Sequence, residues 1–269
     1  MKLFACMCNQ PQRLPAALAP VRSALVAKPP VSRWGLGYVQ GGDVLLVRTP
    51  KASAVPVDLA APLAELRSDC AIAQAVGEDT TILTSTAGTD NTPPFRFRRW
   101  LFAQTGTPHL DGVTARILEH IPEYLRRNIK GRTSAELIFH LFLAMLHDEG
   151  NLDDANLPPS AQRRALAATL RLVDTELERA GLSGEERPRL GNVALTNGRS
   201  MVLAHLREPL RLRRLTVTGE RGERDDSFRG VLLVSGGDGD VKDGFEDVPP
   251  ERAVLISRDL KVSFADLTP

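Results

Sequence analysis

Two glycine-centred dipeptides constrain this chain most. Gly41-Gly42 separates "RWGLGYVQ" from "DVLLVRT", and Asn197-Gly198 separates "NVALT" from "RSMVLAHL". Such pairs take the positive-φ positions of two-residue hairpin turns, so antiparallel strands are expected both early and late. Further strands are expected at Lys2–Met7, Ala71–Ala75 and Thr81–Ser85, and as one wet-faced strand through "FRFRRWLFAQTG". Others fall near Leu215, at Val231–Val234, at Ala253–Ser257 and at Lys261–Phe264. The helical signals lie mostly between. Gln12–Ala27 reads as a helix with Pro15 near its start and Pro20 threatening its middle. A second helix spans about Gly112–Arg127. A third opens at Thr133 as N-cap, with Glu136 three residues on as a capping box. A fourth runs Ser160–Ala180 and stops at Gly181. Strands, then helices, then strands is not the alternation of a doubly wound sheet. It suits an α+β fold of antiparallel sheets with helices packed outside. No stretch of the 269 residues reads as a linker, so one domain, 1–269, is expected.

Charge excludes some classes. The formal net charge is +1, so no global field attracts nucleic acid or an anionic membrane. Locally, Arg96–Arg132 holds eight basic and three acidic residues, and Asp225–Glu251 two basic and eight acidic. These read as solvated faces or as a docking surface. The three cysteines, Cys6, Cys8 and Cys70, are few and odd in number, which points to a reducing compartment. With no signal segment and no apolar run of membrane-spanning length, a cytoplasmic location is expected. Cys6 and Cys8 share one face of a strand and read as buried structural thiols. No metal ligand set or cofactor motif is found. "SGGDGDVKDG" lacks the terminal bidentate Glu of a calcium loop, and His109, His120, His140, His147 and His205 show no ligand spacing. Gly219–Phe228 reads as a polar surface loop.

Several segments, in order, resemble the class II glutamine amidotransferases, which are N-terminal-nucleophile hydrolases. These are the opening "MKLFACMCNQP", "RWGLGYV" through Trp34, Gly35 and Gly37, "NTPPF" through Asn91, Pro94 and Phe95, "LFAQTGT", "GRTSAELIF", and the closing "NVALTNG" and "GFEDVPPERAVLISRDLKV". The resemblance spans nearly the whole chain. It implies a four-layer αββα sandwich, with two antiparallel sheets stacked between helices.

The same resemblance shows what is missing. In that family an N-terminal cysteine attacks the glutamine side-chain amide, with its own α-amine as base. Here the position before Leu3 is Lys2 and the cysteine slot falls on Met1; neither is a thiol. The His-x-Arg strand, whose Arg clamps the substrate carboxylate, becomes Gln74 and Val76 in "AQAVG". The His-Asn-Gly loop, which cradles the oxyanion, becomes Gln104, Thr105 and Gly106, of which only the glycine is retained. The Asp that holds the substrate amine becomes Ser134. Loss of a nucleophile costs on the order of 10⁶-fold in rate, and loss of one oxyanion donor roughly 10²–10³-fold.

The expectation is therefore a catalytically degenerate scaffold that serves as a non-catalytic binding or regulatory module for a protein partner or small ligand. One alternative is an active amide hydrolase for glutamine or γ-glutamyl compounds, using Cys8 as the N-terminal residue after a start at Met7. Asn9, Gln10 and Pro11 would then replace the apolar strand the family has there. Another is nucleic-acid binding through the basic and aromatic residues of "FRFRRW"; an amphipathic strand with its aromatics in the core is expected instead.

Overall fold

The structure, a computed structural model, describes residues 1–77, 88–106, 109–182, 187–218, 223–236 and 244–267. The expected strand Thr81–Ser85 and most of "SGGDGDVKDG" lie outside the described residues, as do residues 219–222 of the expected polar loop.

The chain opens with β1 (Lys2–Cys8), followed by two 3₁₀ segments around α1 (Leu14–Leu18). Next come β2 (Val26–Ala27), β3 (Val31–Gln40), β4 (Asp43–Thr49), β5 (Val57–Asp58) and β6 (Cys70–Gly77). A hairpin of β7 (Phe95–Phe97) and β8 (Trp100–Gln104) precedes four helices. These are α2 (Thr114–Glu119), α3 (Glu123–Arg126), α4 (Ser134–Asp148) and α5 (Pro159–Arg179). The last third holds β9 (Val193–Thr196), β10 (Met201–Ala204), β11 (Leu210–Leu215), β12 (Gly230–Ser235), β13 (Glu246–Asp247), β14 (Arg252–Ile256) and β15 (Val262–Asp266).

Two antiparallel sheets stack face to face. One has the order β13-β11-β12-β1-β6-β3-β4, the other β15-β14-β10-β9-β8-β7. Alternation along each strand divides the apolar residues into layers. Leu3, Ala5 and Met7 of β1 meet Leu101, Ala103, Leu203 and Val254 between the sheets. Phe102, Leu195 and Val202 turn outward under α4 and α5. There Phe102 stacks on Phe139 at 5.3 Å and Trp100 meets Phe142 edge-on at 5.4 Å. On the far side, Phe4, Cys6 and Cys8 lie under Leu14, Leu18, Leu25 and Leu63. The cover there is thin: the five-residue α1, 3₁₀ turns and the β2–β5 pair. The expected sandwich of two sheets between outer layers is thus present, with one outer layer much the heavier.

Three expected elements differ. The Gln12–Ala27 helix survives only as α1, because Pro20 lacks the N–H to continue it and the chain passes into a 3₁₀ segment at Ala19–Leu25. The Gly112–Arg127 helix breaks into α2 and α3, with Pro122 as N-cap of the second. "FRFRRWLFAQTG" is two strands, turned at Arg98 with φ 51°. Its second strand is buried on both faces rather than wet on one. Phe95, Phe97 and Trp100 all lie in the core, so they present no stacking faces to solvent. Among the described residues, no helix is long and apolar enough to cross a membrane.

Candidate functional site

The motif positions gather at one end of the sandwich, where β1 begins and β6 and β8 finish. Lys2 pairs with Ala75 and Leu3 with Gln74. Gln74 Nε2 donates to the Gln104 carbonyl at 2.6 Å, joining the two sheets. Gln74 and Val76 follow Cys70 and Ile72 on the inter-sheet face of β6.

Position 1 carries a thioether where the resemblance places a thiol. Met1 is 44% exposed, yet its sulfur lies 2.8 Å from the Gly106 nitrogen and accepts its N–H. Gly106, at φ 76°, stands where the resemblance places half of an oxyanion pair, and its N–H faces a weak acceptor with no charge. Lys2 is buried. The thiols of β1 lie elsewhere: Cys6 and Cys8 point with Phe4 to the outer face, away from Gln74 and Val76. Burial pushes the Cys8 thiol up to about 12 and holds Cys6 well above its ordinary value. Cys70 faces the inter-sheet core, where its sulfur meets Thr196 Oγ1 at 3.3 Å, and burial again raises it to about 12. A thiol in this range holds almost no thiolate near neutrality.

Thr105 is held in a hydrogen-bonded knot. Its hydroxyl donates to Glu208 Oε2 at 2.6 Å and accepts the Asn192 N–H at 2.8 Å. Asn192 Nδ2 in turn donates to Ser235 Oγ at 2.8 Å, and Asn192 Oδ1 accepts from the Leu206 and Arg207 amides. This knot ties the end of β8 to the start of β9 and the end of β12. It depends on Gly191, because a Cβ there would stand 1.8 Å from the Thr105 carbonyl oxygen. Glu208 and Asn192 escaped the sequence reading because both are remote from Thr105 along the chain.

Gln104 extends on the helix-facing side of β8, in step with Trp100 and Phe102. Both its amide atoms are buried without a partner among the described residues, as is Gln74 Oε1. Val76 offers no charge, but Arg33 stands directly across from it on β3. A guanidinium therefore enters this end from the neighbouring strand, with Arg33 Nε donating to the Asn91 carbonyl at 3.1 Å. Pattern matching along β6 alone does not reach a residue on the facing strand.

The other motif residues hold backbone. Asn91 Oδ1 accepts the Arg132 N–H at 2.7 Å. Thr133 Oγ1 accepts the Glu136 N–H at 3.2 Å, as expected of the N-cap of α4, and Ser134 begins the helix. The reciprocal half of the capping box is not made. Instead the Glu136 carboxylate reaches further back, accepting from Lys130 N at 3.1 Å and Gly131 N at 2.7 Å. Burial raises its pKa despite those two bonds. Pro94 follows a cis peptide, and its carbonyl accepts from Arg48 Nε at 3.2 Å. Phe95 lies beneath the Arg48 guanidinium, 5.9 Å from ring to carbon. Trp34 is half-buried beside Gly35 and Gly37 on β3. Side chains at those two glycines would strike the Pro93 carbonyl and Leu101, so they set how closely the sheets approach. Among the described residues, no three His, Cys, Asp or Glu side chains are placed to hold a metal ion.

This arrangement of strands is the fold of the class II glutamine amidotransferases. The chain resembles a glutamine aminotransferase class-II domain protein from Silicibacter pomeroyi over 100% of both chains, with TM-score 0.62 and 15% identity. It resembles a predicted glutamine amidotransferase from Pseudomonas aeruginosa over 97% of this chain and 99% of that one, with TM-score 0.55 and 12% identity. An allosteric regulatory enzyme of purine biosynthesis matches with TM-score 0.58 and 11% identity, over 100% of this chain and 49% of its own. No family model matches the sequence, and no curated protein sequence does.

Proposed function

We propose that this chain is a catalytically degenerate scaffold of the class II glutamine amidotransferase fold, acting by binding rather than by amide cleavage. The observation that carries the reading is the Met1 sulfur against the Gly106 N–H. The donor that would stabilise an oxyanion meets a thioether that cannot ionise and attack. Thr105 supports the same reading, since its hydroxyl is engaged by Glu208 and Asn192. The proposed role is a non-catalytic binding or regulatory one, with a protein or a small molecule as partner.

The experiment is ammonia release from L-glutamine, with the mature N-terminus read by intact mass. Release at the level of buffer is expected, with no change on Cys8→Ser. A mature chain beginning at Cys8 and releasing ammonia would overturn the proposal. That start would discard Lys2–Met7, whose pairing to both β6 and β12 forms the middle of the larger sheet.

A further inference from the structure

A cleft of about 400 Å³ lies beside β4 and β7, the edge strands of the two sheets. Phe95 and Phe97 lie buried beneath it, with the Arg48 and Arg98 guanidiniums over their rings, and Tyr124, 38% exposed, stands at its lip. Six charged side chains line it: Arg48, Arg96, Arg98, Lys130, Asp90 and Glu136. Their charges do not cancel evenly. Arg98 is paired with Asp153 at 2.6 Å. Arg48 feels both Glu136 and Asp90, while both oxygens of Glu136 are engaged by backbone amides. Arg96 and Lys130 remain, and neither enters an ion pair with the described residues. One comes from β7 and the other from the loop before α4, so they reach the cleft from different elements. Arg96 is held by one guanidinium nitrogen, Nη1, on the Val44 carbonyl at 2.6 Å. Arg96 also crowds Arg48, whose pKa is lowered, chiefly by burial and in part by that like charge. An anion between these cations would relieve the crowding.

We infer that this cleft binds a small phosphate monoester with a flat, partly apolar body. Its dianion would sit between Arg96 and Lys130 and its body against the exposed ring of Tyr124. Arg presents a planar fork suited to phosphate oxygens, and Lys adds a compact point charge. The volume lies within the roughly 300–1,000 Å³ of small-molecule sites. A nucleic-acid strand fits less well. The aromatic rings of β7 face the core, and a net charge of +1 gives no long-range attraction.

The test is calorimetric titration of the full chain with phenyl phosphate at low salt. Saturable one-site binding is expected, weakened at least tenfold in the Arg96→Gln/Lys130→Gln double variant. Arg127→Gln, which removes an exposed cation paired with Glu123 outside the cleft, should bind as the parent does. Lys130→Gln alone, at an exposed side chain, guards against misfolding of the double variant and should weaken binding severalfold. Benzyl alcohol should not compete. No saturable binding, or equal binding by parent and double variant, overturns the inference. So does tighter binding of a single-stranded oligonucleotide through the same two residues, which would make the cleft part of a strand surface.

Discussion

The two motif regions that flank the sandwich end differ in how fully their polar side chains are bonded. Around Asn91 and Glu136, the polar side chains in the motifs have partners. Asn91 Oδ1 holds Arg132 N, Glu136 holds two amides and Thr133 caps the helix. Around Gln74 and Gln104, three buried amide atoms have none. In the first region the side chains hold part-buried backbone N–H groups, and releasing a donor from its acceptor costs up to about 1–3 kcal/mol. At the positions that the resemblance assigns to substrate handling, Thr105 is bonded to Glu208 and Asn192, whereas the Gln104 amide has no partner among the described residues.

The largest expected effect lies in the bonded region. Glu136→Ala should lower stability by about 3 kcal/mol in urea unfolding, because it leaves the Lys130 and Gly131 amides without their acceptor. Glu136→Gln should recover part of the loss. Equal stability of Glu136→Ala and the parent would erase the contrast between the regions.

The idle region should respond with the opposite sign. Gln104→Leu keeps similar volume and removes two unpartnered amide atoms, so it should raise stability by about 2 kcal/mol. A loss of stability would show that the amide is satisfied in solution.

A smaller effect sharpens the comparison through pH. His140 lies in α4 between the two regions, its Nδ1–H bonded to the Glu136 carbonyl at 3.0 Å and its Nε2 buried without a partner. Burial holds its pKa below the ordinary 6.5, so the unfolded chain takes up the proton first. Stability contributed by the neutral ring is therefore full above 6.5 and declines as pH falls below it. Relative to His140→Leu, the parent should lose stability as pH falls below 6.5 in paired denaturation curves. A constant difference between the two proteins would contradict a buried neutral histidine.

Local chemistry explains which parts were legible in the sequence. Gly198 takes φ 83° at the predicted hairpin, Thr133 caps α4, and Gly181 stops α5. Each is a short-range signal with one dominant physical cause. The β7–β8 turn was not legible, because its positive-φ residue is Arg98 rather than glycine or asparagine. The two-residue strands β2 and β5 are too short to carry a pattern. At the site, the residue types at Met1, Gln74, Val76, Thr105 and Ser134 could be read from the motifs. The contacts of Thr105 with Glu208, of Gly106 with Met1, and of Arg33 across from Val76 join distant positions that only the folded sheets bring together.

The place of β1 has a consequence for how the chain is made. Its residues pair on one side with β6, complete by Gly77, and on the other with β12, which begins only at Gly230. β1 therefore leaves the ribosome well before β12 and waits with one edge open until that strand is made. Pairings this far apart in sequence close slowly, and an open apolar edge is a template for other chains. A nascent chain halted before residue 230 should associate with itself or with chaperones, whereas one released beyond it closes its own seam.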